Sequence, residues 1–271
     1  MGQDKRRRKK EIRDLRRAEY EAALRRRRNA RIAGAAVIVA ALIGLALFTG
    51  SGGDDGDGGD EAADETPAAA ACGAETPPAA NPQQYERPQE VTQPGVDYRA
   101  VIATSCGEIA LDLLEENAPR NVNNFVFLAQ EGYYDGLTFH RVVNDFVIQT
   151  GDPNDQNGTP PDGPGYIVPD ELPDQACDYV YGVVAMANVG APDTAGSQFF
   201  IVVHGFQRAS EGNPEPAGLD PTYTIFGVAD ESSWETLDEI ATVQTRGGTD
   251  PVQAAEPVMP VYIESIEILE A

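Results

Sequence analysis

The sequence predicts a mainly β domain: a closed antiparallel β-barrel of eight strands capped by two α-helices, preceded by a transmembrane helix and a disordered linker. Three observations carry that expectation. Residues 97–271 are long enough for one domain with its own core. Eight short strand-like runs fall inside that stretch, and only two segments there have helical periodicity. Many short strands with few helices fit a barrel plugged at its ends better than a layered α/β sheet.

Charge divides the chain before any motif does. Residues 1–31 hold fourteen Lys and Arg against five Asp and Glu, so this head is +9 and the remainder −33, within a total of −24. No lysine occurs after Lys10, and beyond the head only Arg87, Arg99, Arg120, Arg141, Arg208 and Arg246 supply cations. The head has helix formers with Ile12, Leu15 and Leu24 as a thin apolar stripe. Residues 32–49 follow as one apolar run of the length that crosses a hydrocarbon core. Cations beside such a run are held by anionic lipid, so the head reads as juxtamembrane and no nucleic acid is expected. A head this long is unlike a cleaved signal peptide, so the run reads as an uncleaved signal anchor. The positive-inside rule then places the N-terminus in the cytoplasm and the rest outside the cell membrane.

Residues 50–96 are Gly, Asp, Ala and Pro with almost no large apolar side chains, which reads as an extended, self-repelling linker. Its acidic run from Asp54 to Glu65 lacks the ligand register of a calcium loop. In the domain, strands are expected at Tyr98–Ala103 and Glu108–Leu113, then at Phe139–Val143, Phe146–Gln149, Val183–Ala187, Phe199–Val203, Thr224–Val228 and Val261–Leu269. Pro119 opens the first helix, in which Val122, Phe125, Val126 and Ala129 recur at helical spacing until Gly132 stops it. The second, Trp234–Val243, carries a capping-box pattern at Ser232 and Glu235.

The stretch Phe139–Asp152 concentrates the chemistry. Two strand-like runs flank a turn at Asn144-Asp145, which brings Arg141 and Gln149 to one face beside Phe146. That is a cation braced by a neutral amide next to an aromatic wall, with no nucleophile. The motif Phe139-His140-Arg141-Val142, then Phe146-Val147-Ile148-Gln149-x-Gly151-Asp152, resembles the cyclophilin family of peptidyl-prolyl cis-trans isomerases. The loop Asp162-Gly163-Pro164-Gly165-Tyr166, the run Met186-Ala187-Asn188 and Gly196-Ser197-Gln198-Phe199-Phe200-Ile201 follow in the family's order.

The resemblance covers about 175 residues from Tyr98 onward and implies an isomerase of Xaa-Pro bonds, acting on proline-containing polypeptides without a cofactor or metal. It assigns Arg141, Gln149 and Phe146 to catalysis. It assigns Val147, Ala187, Asn188, Gln198, Phe200, Leu219 and Tyr223 to substrate binding. Three departures stand out: Val147 replaces the usual methionine, Tyr223 the usual histidine, and Gly218 falls where many members have a cleft tryptophan. They put cyclosporin binding and substrate preference in question more than turnover. The alternative from another class is a proline-binding chaperone or scaffold that uses the same cleft with little turnover.

Other residue types have plain readings. His140 reads as a packed structural histidine, since rotation about a peptide bond transfers no proton. His140 and His204 are the only histidines and have no metal-ligand spacing. Ser197 lacks the setting of a nucleophile elbow. Alternation puts Phe199 and Phe200 on opposite faces, so only one can line a cleft. Three cysteines in an oxidising compartment leave three pairings open. Cys72 with Cys106, the preferred one, would fasten the Pro-rich segment Glu75–Pro94 to the domain, whereas Cys106 with Cys177 would staple the domain internally.

Overall fold

The structure is a computed structural model that describes residues 70–74, 80, 83–153, 163–172, 179–210, 212 and 216–270. The basic head, the apolar run 32–49, most of the acidic linker and Cys177 lie outside these residues. Among the described residues no helix is long and apolar enough to cross a membrane.

Eight strands form a single antiparallel sheet: β1 (Tyr98–Thr104), β2 (Gly107–Leu113), β3 (Arg141–Val143), β4 (Val147–Thr150), β5 (Val183–Met186), β6 (Phe199–Val202), β7 (Ile225–Ala229) and β8 (Ile263–Glu270). Their order is β3-β4-β6-β5-β7-β2-β1-β8. Each expected strand is present, shifted at its ends by a residue or two.

Full closure of the barrel was the expectation, and here the structure differs. The outermost strands β3 and β8 do not pair with each other. The segments just ahead of them meet at one bridge, Thr138 to Tyr262, flanked by Phe139 N–H to Val261 O at 2.8 Å and Ile263 N–H to Leu137 O at 2.9 Å. The result is a half-barrel joined at one point. A physical reason is visible at β3: it has three residues, and its Val142 N–H is already given to Ala255 O at 2.8 Å.

Two principal helices, α1 (Pro119–Gln130) and, counting the short α2 (Phe206–Ser210), α3 (Trp234–Ala241), pack on the sheet, and a four-residue α4 (Pro251–Ala254) precedes the return to β8. In α1 the predicted stripe Val122, Phe125, Val126 and Ala129 is buried. Its N-terminus has no local cap. Instead the Glu171 carboxylate accepts from Asn121 N–H at 2.9 Å, Asn121 Nδ2 at 2.8 Å and Arg120 N–H at 3.2 Å, a distant anion set where the helix dipole favours it. The capping box expected at Ser232 is not formed. A 3₁₀ turn over Glu231–Ser233 precedes α3, and Ser233 accepts Ala110 N–H at 2.8 Å.

Composition assigned residues 50–96 to the linker, yet the described part of it is bound to the domain. Cys72 is disulfide-bonded to Cys106, and Ala71 N–H meets Pro260 O at 3.0 Å. Asn123 of α1 grips the segment through its side chain: Oδ1 accepts from Val91 N–H at 2.8 Å and Thr92 N–H at 3.1 Å, while Nδ2 donates to Gln89 O at 2.8 Å. Tyr85 packs edge-on against Phe127, with ring centroids 5.0 Å apart. The packed unit therefore begins well ahead of residue 97.

Candidate active site

The site is built on a register. β3 and β4 pair so that Arg141 stands opposite Gln149. The turn between them closes with Phe146 N–H to Val143 O at 3.0 Å and sets Asp145 at φ 54°, a conformation that Asp tolerates better than bulkier residues. Asp145 is held in turn: its carboxylate accepts Gly205 N–H at 2.7 Å, and its carbonyl lies 2.8 Å from His204 Nδ1. Val203 N–H to Phe146 O at 2.9 Å then fixes the backbone of Phe146 against the end of β6.

On this frame Arg141 lies with its Cζ 5.9 Å from the centroid of the Phe146 ring, within cation–π range. Arg141 Nη1 reaches Gln149 Oε1 at 3.5 Å, the long limit of a hydrogen bond. Gln149 Nε2 donates to Gln198 Oε1 at 2.9 Å, and Gln198 Nε2 donates to Asp152 Oδ2 at 2.9 Å. A relay of two amides thus ends on a buried carboxylate, which orients both amides so that their oxygens point back toward the arginine. Burial holds the Arg141 guanidinium below its ordinary range, with Tyr223 acting in the opposite direction. It still keeps its proton at physiological pH.

Beside Arg141 is an apolar cluster separate from the main core. Val147, Tyr179, Val183, Ala185, Phe200 and Val202 are buried in it, and Phe146, Ala187, Leu219, Tyr223 and Ile225 are among the half-buried residues that complete it. Phe200 meets the Tyr223 ring edge-on at 5.2 Å. Phe199, as alternation requires, faces the other way, into the main core with Phe125, Tyr134 and Phe226.

The structure therefore brings nine of the ten predicted site residues together on one face of the sheet: Arg141, Gln149 and Gln198 by hydrogen bonds, and Phe146, Val147, Ala187, Phe200, Leu219 and Tyr223 by apolar contact. Asn188 is the tenth, and its side chain is taken up locally, donating Nδ2 to Thr222 O at 2.9 Å and accepting Gly190 N–H at 3.0 Å. Gly218 takes φ +73° and nothing lies within 4 Å of where its Cβ would be.

Two contributors were missed from sequence. Asp152 was within the quoted motif, and only its contact with Gln198, 46 residues away, reveals its use. Tyr179, buried in the outer cluster, follows a stretch without periodic signal. His140 is buried, as a structural histidine would be. Ser197 is bound by Gly151 O at 2.7 Å and by the Tyr133 hydroxyl at 3.1 Å. Burial pushes that tyrosine up to about 12, so it is no base for a nucleophile. No cluster of metal-ligating side chains occurs among the described residues.

What this geometry defines is an apolar cluster on the outer face of the sheet with one guanidinium beside it, over Phe146. Comparison with known proteins agrees. A family model described as cyclophilin type peptidyl-prolyl cis-trans isomerase matches residues 99–268. A putative peptidyl-prolyl cis-trans isomerase of Staphylococcus saprophyticus is 37% identical over 194 residues, covering 65% of this chain and 94% of that protein. A putative bifunctional phosphatase/peptidyl-prolyl cis-trans isomerase of Streptococcus pyogenes is 38% identical over 193 residues, covering 64% of this chain and 39% of that longer protein. Among solved structures, a cyclophilin type peptidyl-prolyl cis-trans isomerase of Cryptosporidium parvum has a TM-score of 0.53 and 27% identity, covering 65% of this chain and 99% of that one. The same parasite protein, solved in the presence of the dipeptide Ala-Pro, has a TM-score of 0.52, 27% identity and coverage of 64% and 99%. The chain belongs to the cyclophilin-type peptidyl-prolyl cis-trans isomerase family, and its activity is that of an isomerase of this class.

Proposed function

We propose that this isomerase accelerates Xaa-Pro rotation in polypeptides folding outside the cell membrane, with Arg141 as the group that stabilises the twisted bond. The carrying observation is the placement of one guanidinium over Phe146, which packs at the edge of an apolar cluster separate from the main core.

Rotation about an Xaa-Pro bond breaks amide resonance across a barrier of about 18–20 kcal/mol. In the twisted state the prolyl nitrogen recovers a lone pair. A donor fixed beside it favours that state over the planar ground states, which is what raises the rate. Arg141 presents a rigid fork of N–H groups, and Gln149, Gln198 and Asp152 hold that fork in orientation. Val147, Phe146, Phe200 and Leu219 would receive the pyrrolidine ring, and the backbone at Asn188 would grip the extended peptide beside it. No proton moves and no bond to carbon changes. A rate gain of roughly 10⁵ needs about 7 kcal/mol, within the reach of positioning plus one half-buried charged donor.

The membrane setting rests on the sequence: the +9 head, the single apolar run 32–49, and the acidic remainder. The Cys72–Cys106 disulfide supports an oxidising compartment. Turnover of an Ala-Pro peptide by the full-length chain tests the activity. A chain that binds the peptide without speeding its exchange would favour the scaffold reading instead.

A further inference from the structure

One residue, Tyr179, ties down the outer wall of the cleft at both ends, through its side chain at Tyr223 and its main-chain carbonyl at Ala217. Tyr179 is 1% exposed and belongs to the cleft cluster rather than the main core. Its hydroxyl donates to Tyr223 O at 2.9 Å and accepts Tyr223 N–H at 3.2 Å, so a single phenol closes on both backbone groups of one residue. Its own carbonyl accepts Ala217 N–H at 2.8 Å, and its ring meets that of Tyr223 edge-on at 6.2 Å. Between residues 217 and 223 the wall has no strand or helix, and Thr222 N–H to Asp220 O is its internal hydrogen bond. Yet this segment presents Leu219 and Tyr223 to the groove. Gly218 within it has a left-handed backbone and open space around it, so local sterics do little to hold the wall in place.

We propose that Tyr179 is a positioning residue which fastens the 217–223 wall and thereby sets how tightly the groove holds a prolyl peptide. It touches neither Arg141 nor the Gln149–Gln198–Asp152 relay in the contacts described above, so its effect falls on peptide binding and not on the twisting step. This inference rests on the isomerase reading of the same cleft.

The test uses the full-length chain. Tyr179→Phe keeps the ring and deletes the hydroxyl, which leaves the Tyr223 amide without that partner. KM for an Ala-Pro peptide should rise about tenfold, the factor associated with losing one such hydrogen bond, with kcat within about twofold. Amide hydrogen exchange at Tyr223 should quicken by about the same factor, while Ile201 on β6 stays protected. A second variant, Ala217→Pro, removes the donor to the Tyr179 carbonyl and should raise KM in the same direction. In a Leu219→Ala background the effect of Tyr179→Phe should be smaller, because the wall then positions Tyr223 alone.

The proposal is overturned if folded Tyr179→Phe keeps its KM and its Tyr223 exchange rate, or if kcat falls while KM holds. Should Tyr179→Phe fail to fold, Ala217→Pro decides alone: unchanged KM there also overturns it. If the unmodified chain turns over no prolyl peptide, the isomerase reading fails separately, and the exchange measurement still tests the brace.

Discussion

Phe199 and Phe200 are neighbours in β6, and the sheet sends them to two different chemistries. Phe199 enters the main core, ringed by Phe125, Tyr134 and Phe226 and covered by α1. Phe200 enters a smaller cluster on the opposite face, with Tyr179 beside it and Leu219, Tyr223 and Phe146 half-buried at its rim. The same alternation sends Ile148 inward and Val147 outward on β4, and Val184 inward with Ala185 outward on β5. An antiparallel sheet normally turns one face to water. Here both faces are apolar, and the outer one is incompletely covered. The difference teaches where stability and the proposed function part: the inner face is closed by packing, whereas the outer face keeps a rim of half-buried side chains, where the proposed peptide would lie.

The largest expected effect separates the faces directly. Phe199→Ala should lower unfolding free energy by about 3–5 kcal/mol, since it opens a cavity among aromatics that cannot collapse. Phe200→Ala should cost roughly half as much, because its neighbours on the open side can relax, and should weaken peptide binding instead. Urea unfolding of both variants checks this. Equal losses would mean that the outer cluster is ordinary core.

Next in size is the strap that runs from Cys72 to β1. Replacing Cys106 with Ser frees a loop closed by cysteines 34 residues apart, for which chain entropy gives about 4 kcal/mol. Thermal melts should fall accordingly while isomerase activity is retained, because the strap binds α1 and the β1 side through Asn123, Tyr98 and Phe127 and not the cleft. Loss of turnover in a still-folded variant would show that the strap shapes the site.

How much of this was readable beforehand follows from the range of the interactions. Strands and helices announce themselves through local period, and the Arg141–Gln149 pair through a tight turn that sets register, so both were legible. Closure of the barrel was overestimated because nothing in β3 advertises that Ala255 occupies its edge. The extent of the packed unit was underestimated for a related reason. Residues 83–96 are held by backbone groups meeting Asn123, more than 30 residues on, and composition weighs side chains alone. Asp152 and Tyr179 act through partners about 45 residues away, a distance at which a single sequence carries no pairing signal.

A smaller effect concerns the position where the family's tryptophan is absent. A Cβ added at Gly218 meets nothing within 4 Å, but Gly218→Trp must adopt a left-handed backbone, costing about 1–2 kcal/mol. It restores an indole donor and a large apolar surface beside Leu219, so cyclosporin should inhibit the variant more strongly than the unmodified chain, with little change in turnover. Inhibition of the unmodified chain at nanomolar concentration would place the missing aromatic contact elsewhere.

The central claim is that a planar, half-buried guanidinium on the outer face does the work. Arg141→Lys keeps the charge and loses the fork, so kcat/KM on an Ala-Pro peptide should drop about a hundredfold or more, as for Arg141→Ala, while circular dichroism and melting temperature stay unchanged. Near-full turnover in a folded Arg141→Lys protein would contradict the account, since a point charge alone would then suffice.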